Sequence, residues 1–460
     1  MRSKKLNIFT AFIVGLLLIP QITFAQKKDT VSFSQALSLE DCIQFGLENN
    51  QNLQAVRLNE QIAETQVGET RAQGLPQVSA SAGVDNNYNI QEQLIDVSQF
   101  QQGAPSGTEA AVAFGRAYSA NAAISVDQLI FDGSYFIGLK AAKTLRELRR
   151  KESGQSEIET VAAITTAFYL VLINEERVEL VAENINQLKA ILSDTKILYE
   201  NGFVESIDVD RLQVNLNNLL TEKNKVERGV IYARNLLKFQ MGMPVATPIS
   251  LSGGLSQINF NAAEYLGQEN EFNYSQRAEY NIIEVNEALT NLDLQNNKAT
   301  HLPKINARFS YGSTTATDQF GQITDFSTRW YSFGILGANI QWNLFTGLRR
   351  SNLMERNKIQ ISQINLQKDN LENSIDLEIS QNKADLRSAA ESLEIQKKNI
   401  ALAEKVYKQT QIKYNEGVGS SLEMLEAETS KKTAETNYYS ALYDAIIAKI
   451  NLEKALGILY

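Results

Sequence analysis

The stretch Tyr199-Glu200-Asn201-Gly202 returns about 215 residues later as Tyr414-Asn415-Glu416-Gly417. The segment 127–133, which ends in Phe-Asp-Gly, returns in the same way as the segment 341–347, which ends in Phe-Thr-Gly. Each half of the chain therefore follows one order: a helix, a Leu-Pro stop, alternating strands, a long helix, a glycine turn and a second long helix. An internal repeat of this length predicts two copies of one structural unit.

The N-terminus has the composition of a secretory signal peptide at residues 1–25. Basic residues precede an apolar segment, and Ala25 stands as a small residue at the expected cleavage position. We expect cleavage and export, with an uncleaved membrane anchor as the alternative. No later apolar run is long enough to predict a transmembrane helix. The single cysteine, Cys42, lies in a helical pattern and is expected to pack as a small apolar side chain.

The repeat divides the rest of the chain into two units and a linker. We expect a first repeat at residues 26–243, a linker at 244–274 and a second repeat at 275–460. Each repeat is predicted to contain one helix, one β-hairpin and one long helical hairpin. The expected helices are 38–73 and 275–301, the β-hairpins 77–131 and 304–345, and the helical hairpins 134–241 and 348–458.

Four segments alternate apolar and polar residues, which indicates β-strands. They begin at Val78, Tyr118, Ile305 and Leu336. The alternation loses its phase between Ile335 and Leu336, which predicts a β-bulge there. The polar segments 91–116 and 317–328 are expected to be external loops.

Strands of about ten residues with one apolar and one small-polar face are typical of a membrane-spanning barrel with a wet lumen. A soluble antiparallel sheet with one solvated face gives the same pattern. Lipid tolerates no open sheet edge, and four strands cannot close, so a membrane barrel would have to be shared between copies of the chain. Two copies would give about eight strands and a filled lumen, and three would give about twelve and a passable one. We favour three.

Apolar residues recur at every seventh position through both predicted helical hairpins, which predicts coiled-coil packing. One series runs from Ile164 to Tyr199, and a second runs from Ile379 to Tyr414. In the last helix the recurring residue is alanine, which permits close approach of helix backbones. The predicted fold class is therefore α+β, with long antiparallel coiled-coil helices and four β-strands per chain.

Composition argues against an enzyme and against nucleic-acid binding. The chain holds 44 Lys and Arg against 53 Asp and Glu, a net charge of −9, whereas nucleic-acid binding requires basic patches. With one histidine, His301, and one cysteine, most zinc sites and histidine-based triads are excluded. No phosphate-binding glycine loop is present. We predict no catalytic residue, no metal and no cofactor.

The chain resembles the TolC family of outer-membrane efflux proteins over nearly all of its predicted mature length. The resemblance rests on several motifs in combination with the duplication, because each motif alone is unspecific. The motifs are the segment from Leu39 to Asn50, Gly74-Leu75-Pro76 and His301-Leu302-Pro303 before strands, Phe131-Asp132-Gly133 and Phe345-Thr346-Gly347 after strands, Tyr414-x-x-Gly417, and the segment from Leu422 to Ala427.

The resemblance implies a homotrimer that shares a β-barrel of about 12 strands in the outer membrane of a Gram-negative bacterium. A trimeric α-barrel would continue it into the periplasm. The implied function is a passive exit duct for tripartite efflux or type I secretion, conducting small molecules or polypeptides. The implied partners are a periplasmic adaptor (a membrane fusion protein), an inner-membrane transporter and outer-membrane lipid. The alternative is a periplasmic coiled-coil adaptor or structural protein without a pore of its own, and such proteins lack two transmembrane hairpins.

By the same resemblance, the two glycine turns lie at the periplasmic tip and constrict the tunnel. Gly202 falls in the first turn, and Gly417 and Gly419 fall in the second. Gly419 occupies the position of an arginine in the family, which leaves open how the tip is held shut.

The resemblance also assigns residues to the aperture. Asp208 matches the acidic position after the first turn, and Glu423 and Glu426 match the acidic pair after the second. Tyr414 matches a tyrosine of the closing contact, with Asp208 as its expected partner. Three copies of these acids around one axis would attract cations. The alternative is that they are ordinary acids favoured by the helix dipole at a helix N-terminus.

Overall fold

The computed structural model of the chain describes residues 36–96, 105–107, 109–255, 272–325 and 327–459. The expected signal peptide and the middle of the expected linker lie outside these residues. The helices are α1 Leu39–Asn49, α2 Gln51–Ala72, α3 Gly133–Glu200, α4 Ser206–Gln240, α5 Ala278–Ala299, α6 Arg349–Asn415 and α7 Ser421–Ala455. The strands are β1 Gln77–Asn86, β2 Glu92–Asp96, β3 Glu109–Ala113, β4 Tyr118–Phe131, β5 Lys304–Thr317 and β6 Tyr331–Gln341.

The segment expected to form one helix at 38–73 forms two, α1 and α2, so that prediction was wrong. Asn50 separates them: its Oδ1 accepts a hydrogen bond from the amide of Leu53 at 3.0 Å, and its Nδ2 donates to the carbonyl oxygen of Gln240 at 2.7 Å. One side chain therefore caps the start of α2 and the distant end of α4. Helical spacing does not reveal such a break, because the cap depends on residues far away in sequence.

The helical hairpins α3–α4 and α6–α7 pack as the seven-residue repeats predict. Helices α3 and α6 have 68 and 67 residues, which makes each about 100 Å long. Most of the recurring positions are buried. They are Ile164, Val171, Ile185 and Leu192 in α3, Leu212, Leu219, Val226 and Ala233 in α4, Ile379, Leu386, Tyr407 and Tyr414 in α6, and Ala427, Ala434, Ala441, Ala448 and Ala455 in α7.

In the described part of the chain, α3 is the one helix long and apolar enough by composition to cross a membrane. The sequence had predicted none. The apolar side chains of α3 nevertheless pack inside the chain: Ile164, Phe168 and Val171 join one buried cluster with Leu237 of α4. Helix packing thus accounts for the apolar character of this helix.

The larger sheet has the strand order β1-β4-β5-β6, with every neighbouring pair antiparallel. Its register aligns Val78, Val126, Phe309 and Leu336 in one row across the strands. All four share a face, so the alternation read from the sequence gives one apolar face on the folded sheet. Strands β1 and β6 are the edges of this sheet and have a described neighbour on one side only.

The bulge predicted at Ile335 and Leu336 was wrong. The β5–β6 ladder runs through both residues without a shift, pairing Ile335 with Ser310 and Leu336 with Phe309. The phase was lost because Tyr331, Phe333 and Ile335 are apolar residues on the polar face, and not because a residue is inserted. The described shift lies instead in β4, between Leu129 and Phe131.

The segment 91–116 contains a second, two-stranded sheet, so its assignment as a loop was wrong in part. Strand β2 pairs with β3 from Glu92 opposite Ala113 to Asp96 opposite Glu109. Each strand has only five residues, which is too short for alternation to separate them from a polar loop.

Candidate functional site

Two glycine turns end α3 and α6 in the same way. Gly202 and Gly417 have φ of 77° and 76°, a conformation that glycine adopts without steric cost. The amide of Gly202 donates to the carbonyl oxygen of Tyr199 at 2.9 Å, and that of Gly417 donates to Tyr414 at 3.0 Å. These are glycine C-caps that reverse the chain at the same end of both hairpins. We call this end, with residues 195–215 and 407–428, the tip.

Gly419 packs closely against the last turn of α6 at the tip. Its amide donates to the carbonyl oxygen of Lys413 at 3.0 Å. A Cβ atom placed on Gly419 would lie 3.1 Å from the amide nitrogen of Tyr414 and 3.2 Å from the carbonyl carbon of Lys413. A larger residue here would press on the last turn of α6. The glycine that stands in place of the family's arginine therefore permits a tighter turn.

Tyr414 contacts Thr195 and not Asp208, so the expected pairing is not formed within the chain. The Tyr414 hydroxyl lies 2.6 Å from Thr195 Oγ1, and Tyr414 is 7% exposed. Thr195 donates its own proton to the carbonyl oxygen of Ile191 at 2.8 Å, so the tyrosine hydroxyl is the donor to Thr195. This hydrogen bond joins α6 to α3.

Asp208 accepts a hydrogen bond from the hydroxyl group of Ser421, the first residue of α7. Arg211 lies farther away, with Nη1 4.0 Å from Asp208 Oδ1. The Ser421–Asp208 bond joins α7 to α4, as the Tyr414–Thr195 bond joins α6 to α3. We call these two hydrogen bonds the tip contacts, because each connects one hairpin to the other.

Sequence reasoning missed Thr195 and Ser421. Ser421 lies three residues before Met424, which is fully buried, and so shares the inward face of α7, a placement that only the folded structure shows. Thr195 lies in the middle of a long helix, where a threonine has no distinctive pattern. Its role depends on which residue of α6 packs across from it.

Glu423 and Glu426 lie on the first two turns of α7 and are exposed. The amide of Glu423 donates to Ser420 Oγ at 3.2 Å, so Ser420 caps the helix. In the described part of the chain, neither glutamate makes a hydrogen bond with Asp208. The structure therefore brings the acidic pair and Asp208 to one end of the molecule without joining them.

The amino-acid sequence matches the profile of the "Outer membrane efflux protein" family over residues 43–243 and 282–458. The chain belongs to the outer membrane efflux protein family. This confirms the resemblance to TolC-like proteins, and the two matched segments fall in the two halves of the repeat. No significant match was found among curated protein sequences.

Solved structures of bacterial outer-membrane channels have the same fold. The Campylobacter jejuni CmeC outer membrane channel is 13% identical, with a TM-score of 0.70 over 92% of this chain and 86% of its own. The Vibrio cholerae outer membrane protein VceC is 15% identical, with a TM-score of 0.66 over 91% and 96%. The Neisseria gonorrhoeae MtrE outer membrane channel, solved in its open state, is 17% identical, with a TM-score of 0.69 over 92% and 89%.

Family membership and fold place this outer membrane efflux protein in the outer membrane of a Gram-negative bacterium, extending into the periplasm. Both the family and the fold are those of channel proteins. The general function of the protein is therefore that of an outer-membrane exit channel. The predicted fold class is confirmed: long helical hairpins combine with a four-stranded antiparallel sheet in each chain.

Proposed function

We propose that this outer membrane efflux protein is the passive exit duct of a tripartite export system and works as a homotrimer. The open four-stranded sheet carries the proposal, because it combines an apolar face with free edges at β1 and β6. Backbone groups at an open edge have no partners in hydrocarbon. Pairing of β6 with β1 of the next copy would remove every edge from the barrel.

The number of copies follows from the width of the barrel. Two chains would give about eight strands, whose inward side chains fill the interior, whereas three would give about twelve around an open lumen. A duct requires the second arrangement. The apolar row of Val78, Val126, Phe309 and Leu336 would then face lipid, and the opposite face would line the lumen.

The helices also present apolar surfaces that no described part of the same chain covers. Exposed apolar side chains recur along α4 and along α6. They are Val214, Leu220, Ile231, Tyr232 and Phe239 in α4, and Ile359, Leu366, Leu377, Ile395, Leu402, Val406 and Ile412 in α6. Exposed apolar surfaces of this extent mark protein interfaces, which supports packing of α4 and α6 against neighbouring copies in a closed ring of helices.

The duct would need partners that supply cargo and energy. We propose a periplasmic adaptor (a membrane fusion protein) and an inner-membrane transporter, as the resemblance to the TolC family implies. Small molecules are the favoured cargo, with secreted polypeptides as the alternative. Five methionines and one histidine in the whole chain give no sign of a metal relay.

The narrowest part of the duct would lie at the tip. Asp208, Glu423 and Glu426 from each chain would surround the axis and form an acidic ring. The position of the family arginine is occupied by Gly419, so the tip contacts would replace a charged closing contact with bonds from the neutral donors Tyr414 and Ser421.

Two ion pairs lie at the polar face of the sheet and at its junction with α3. Arg308 Nε lies 3.1 Å from Asp127 Oδ1, and Lys304 Nζ lies 3.4 Å from Asp132 Oδ2. Paired opposite charges produce little net field in a wide aqueous lumen. Ion selectivity is therefore expected to arise at the tip and not in the barrel.

Removing the acidic pair should reduce the cation preference of the pore. In planar lipid bilayers we expect the purified protein to conduct passively, without nucleotide, and to favour potassium over chloride. The double substitution of Glu423→Gln and Glu426→Gln should lower that permeability ratio severalfold, because it removes two negative charges per chain from the constriction. Reversal potentials in asymmetric potassium chloride measure the ratio.

Asp127→Asn provides a control that also removes a negative charge from the lumen surface, but in its wide part. It should leave the reversal potential nearly unchanged. The aperture assignment would be contradicted by an anion-preferring pore, or by a double variant that conducts with unaltered selectivity. Absence of any conductance from correctly inserted protein would contradict the duct itself.

A further inference from the structure

The boundary between the two helical hairpins is apolar far from the tip and gains buried polar residues nearer the tip. Far from the tip, Ile173 of α3 packs in a buried cluster with Leu442, Ile446 and Ile450 of α7. Nearer the tip, the face of α7 that meets α3 and α4 carries Glu435, Lys431, Glu428 and Ser421, interrupted by Met424. The spacing of three or four residues keeps these side chains on one face of the helix.

Each polar residue on this face has a partner on the other hairpin. Glu435 Oε2 accepts from Asn184 Nδ2 of α3 at 3.0 Å, and Glu428 Oε2 accepts from Asn215 Nδ2 of α4 at 2.9 Å. The third contact is that of Ser421 with Asp208. These polar contacts join the hairpins in the part of the boundary that would separate when the tip opens, beside an apolar cluster that contains Leu188 and Leu212 of one hairpin and Met424 of the other.

Glu428 is the least compensated of these buried acids. It is 8% exposed, and the described hydrogen bond to its carboxylate comes from the neutral amide of Asn215. Lys431 is the nearer cation along the same helix, but its Nζ lies 3.6 Å from Glu435 Oε1 and 3.3 Å from Gln187 Oε1. Because Lys431 also interacts with Glu435, it neutralises the charge of Glu428 only in part.

The groups facing Glu428 differ by element. Asn215 of α4 donates a hydrogen bond to its carboxylate. The positive charges of Lys431 and Lys432 on α7 favour its ionised form. The negative charge of Glu428 in turn disfavours ionisation of Tyr407 on α6. Burial raises the pKa of Tyr407 to about 12, so the phenol stays neutral below pH 8. Burial likewise raises the pKa of Glu428 to about 7, despite the opposing effects of Asn215 and the lysines.

We propose that Glu428 makes the tip sensitive to pH: its protonation stabilises the packing of α7 against α4, and its ionisation favours separation of the two hairpins. The inference rests on the proposed trimeric duct, whose tip must open. An ionised Glu428 in the packed tip is a desolvated carboxylate, whereas the same group in an opened tip meets water. The protonated group keeps a carbonyl oxygen that accepts from Asn215.

The direction of the effect follows from linkage. The packed state binds the proton more tightly than the opened state, in which the pKa returns toward 4.5. Stabilisation of the packed state is therefore greatest at low pH and is lost as the pH rises through about 7. Between pH 8 and pH 6 the packed state should gain about tenfold in population relative to the opened state for each subunit.

A distance measurement at the tip tests this inference without using ion conduction, which the acidic ring also affects. Val418 lies in the second turn and is 79% exposed, whereas Cys42 is fully buried. In a threefold-symmetric trimer, a nitroxide label on Val418→Cys gives one label-to-label distance by pulsed electron resonance. We expect this distance to be shorter at pH 6 and longer or broader at pH 8.

Two further substitutions in the labelled protein separate Glu428 from other acids. Glu428→Gln is neutral at every pH and still accepts from Asn215, so its distance should stay short at both pH values. Glu404→Gln removes an exposed acid of α6 whose pKa Lys408 holds below its ordinary value, and it should keep the full response to pH.

The outcomes distinguish this inference from the proposed function. A trimer whose label distance does not change between pH 6 and pH 8, or a Glu428→Gln variant that still responds, would overturn the pH switch and leave the duct standing. Labelled protein that shows no distance between copies because it is monomeric would overturn the duct, and the switch with it.

Discussion

Leu336→Arg is expected to abolish assembly of the outer-membrane form of this protein. Leu336 is 82% exposed on the apolar face of the sheet, in the row that contains Phe309. An arginine that faces lipid near the middle of a barrel costs about 2–4 kcal/mol in each subunit, and a homotrimer would carry three of them. The yield of assembled protein in detergent extracts of outer membranes measures the effect.

Ile335→Arg is the matched control. Ile335 is the adjacent residue in β6, is also aliphatic and exposed (56%), and lies on the opposite face, where it pairs with Ser310. An arginine there would point into water, and assembly should proceed at nearly the normal yield. Equal tolerance of both substitutions would contradict a lipid-facing role for the apolar face, and equal loss would show that β6 tolerates no charge on either face.

The second large effect is expected from removing both tip contacts in Tyr414→Phe with Ser421→Ala. The substitutions delete one hydrogen bond to buried Thr195 and one to Asp208. Together they should destabilise the packed tip by about 2–4 kcal/mol per subunit. Since about 5.5 kcal/mol converts a 1:99 equilibrium into 99:1, the sum over three subunits should leave most pores open. Single-channel conductance should rise severalfold.

Each of the two substitutions has a matched control at a similar residue that makes neither of the tip contacts. Tyr199→Phe alters the tyrosine at the equivalent repeat position, which is 47% exposed. Ser420→Ala removes the local cap of α7, which bonds the amide of Glu423, and leaves Ser421 in place. This control pair should conduct like the unmodified protein. If the control pair opens the pore as much as the test pair, the tip contacts do not hold it shut.

The parts of the fold that depend on regular spacing could be predicted from the sequence. The seven-residue series marked the buried faces of α3, α4, α6 and α7, and strand alternation separated the two faces of the sheet. Both are properties of a single element, so one stretch of sequence contains the whole signal. The glycine turns were predictable for the same reason, because their backbone conformation requires glycine at Gly202 and Gly417.

The parts that depend on which residues meet across elements could not be predicted. The break at Asn50 depends on Gln240, some 190 residues away, and the partner of Tyr414 proved to be Thr195. The raised pKa of Glu428 depends on burial between hairpins, while its sequence context is that of many exposed helix acids. Chemistry of this kind arises from packing, and a single sequence does not specify it.

We expect one chain to supply only part of a channel wall, which copies of the same chain complete. The decisive measurement is the mass of the protein extracted from outer membranes, determined by native mass spectrometry after release from detergent. We expect particles of three chains that require detergent to stay in solution. A monodisperse single chain that is soluble without detergent would contradict it.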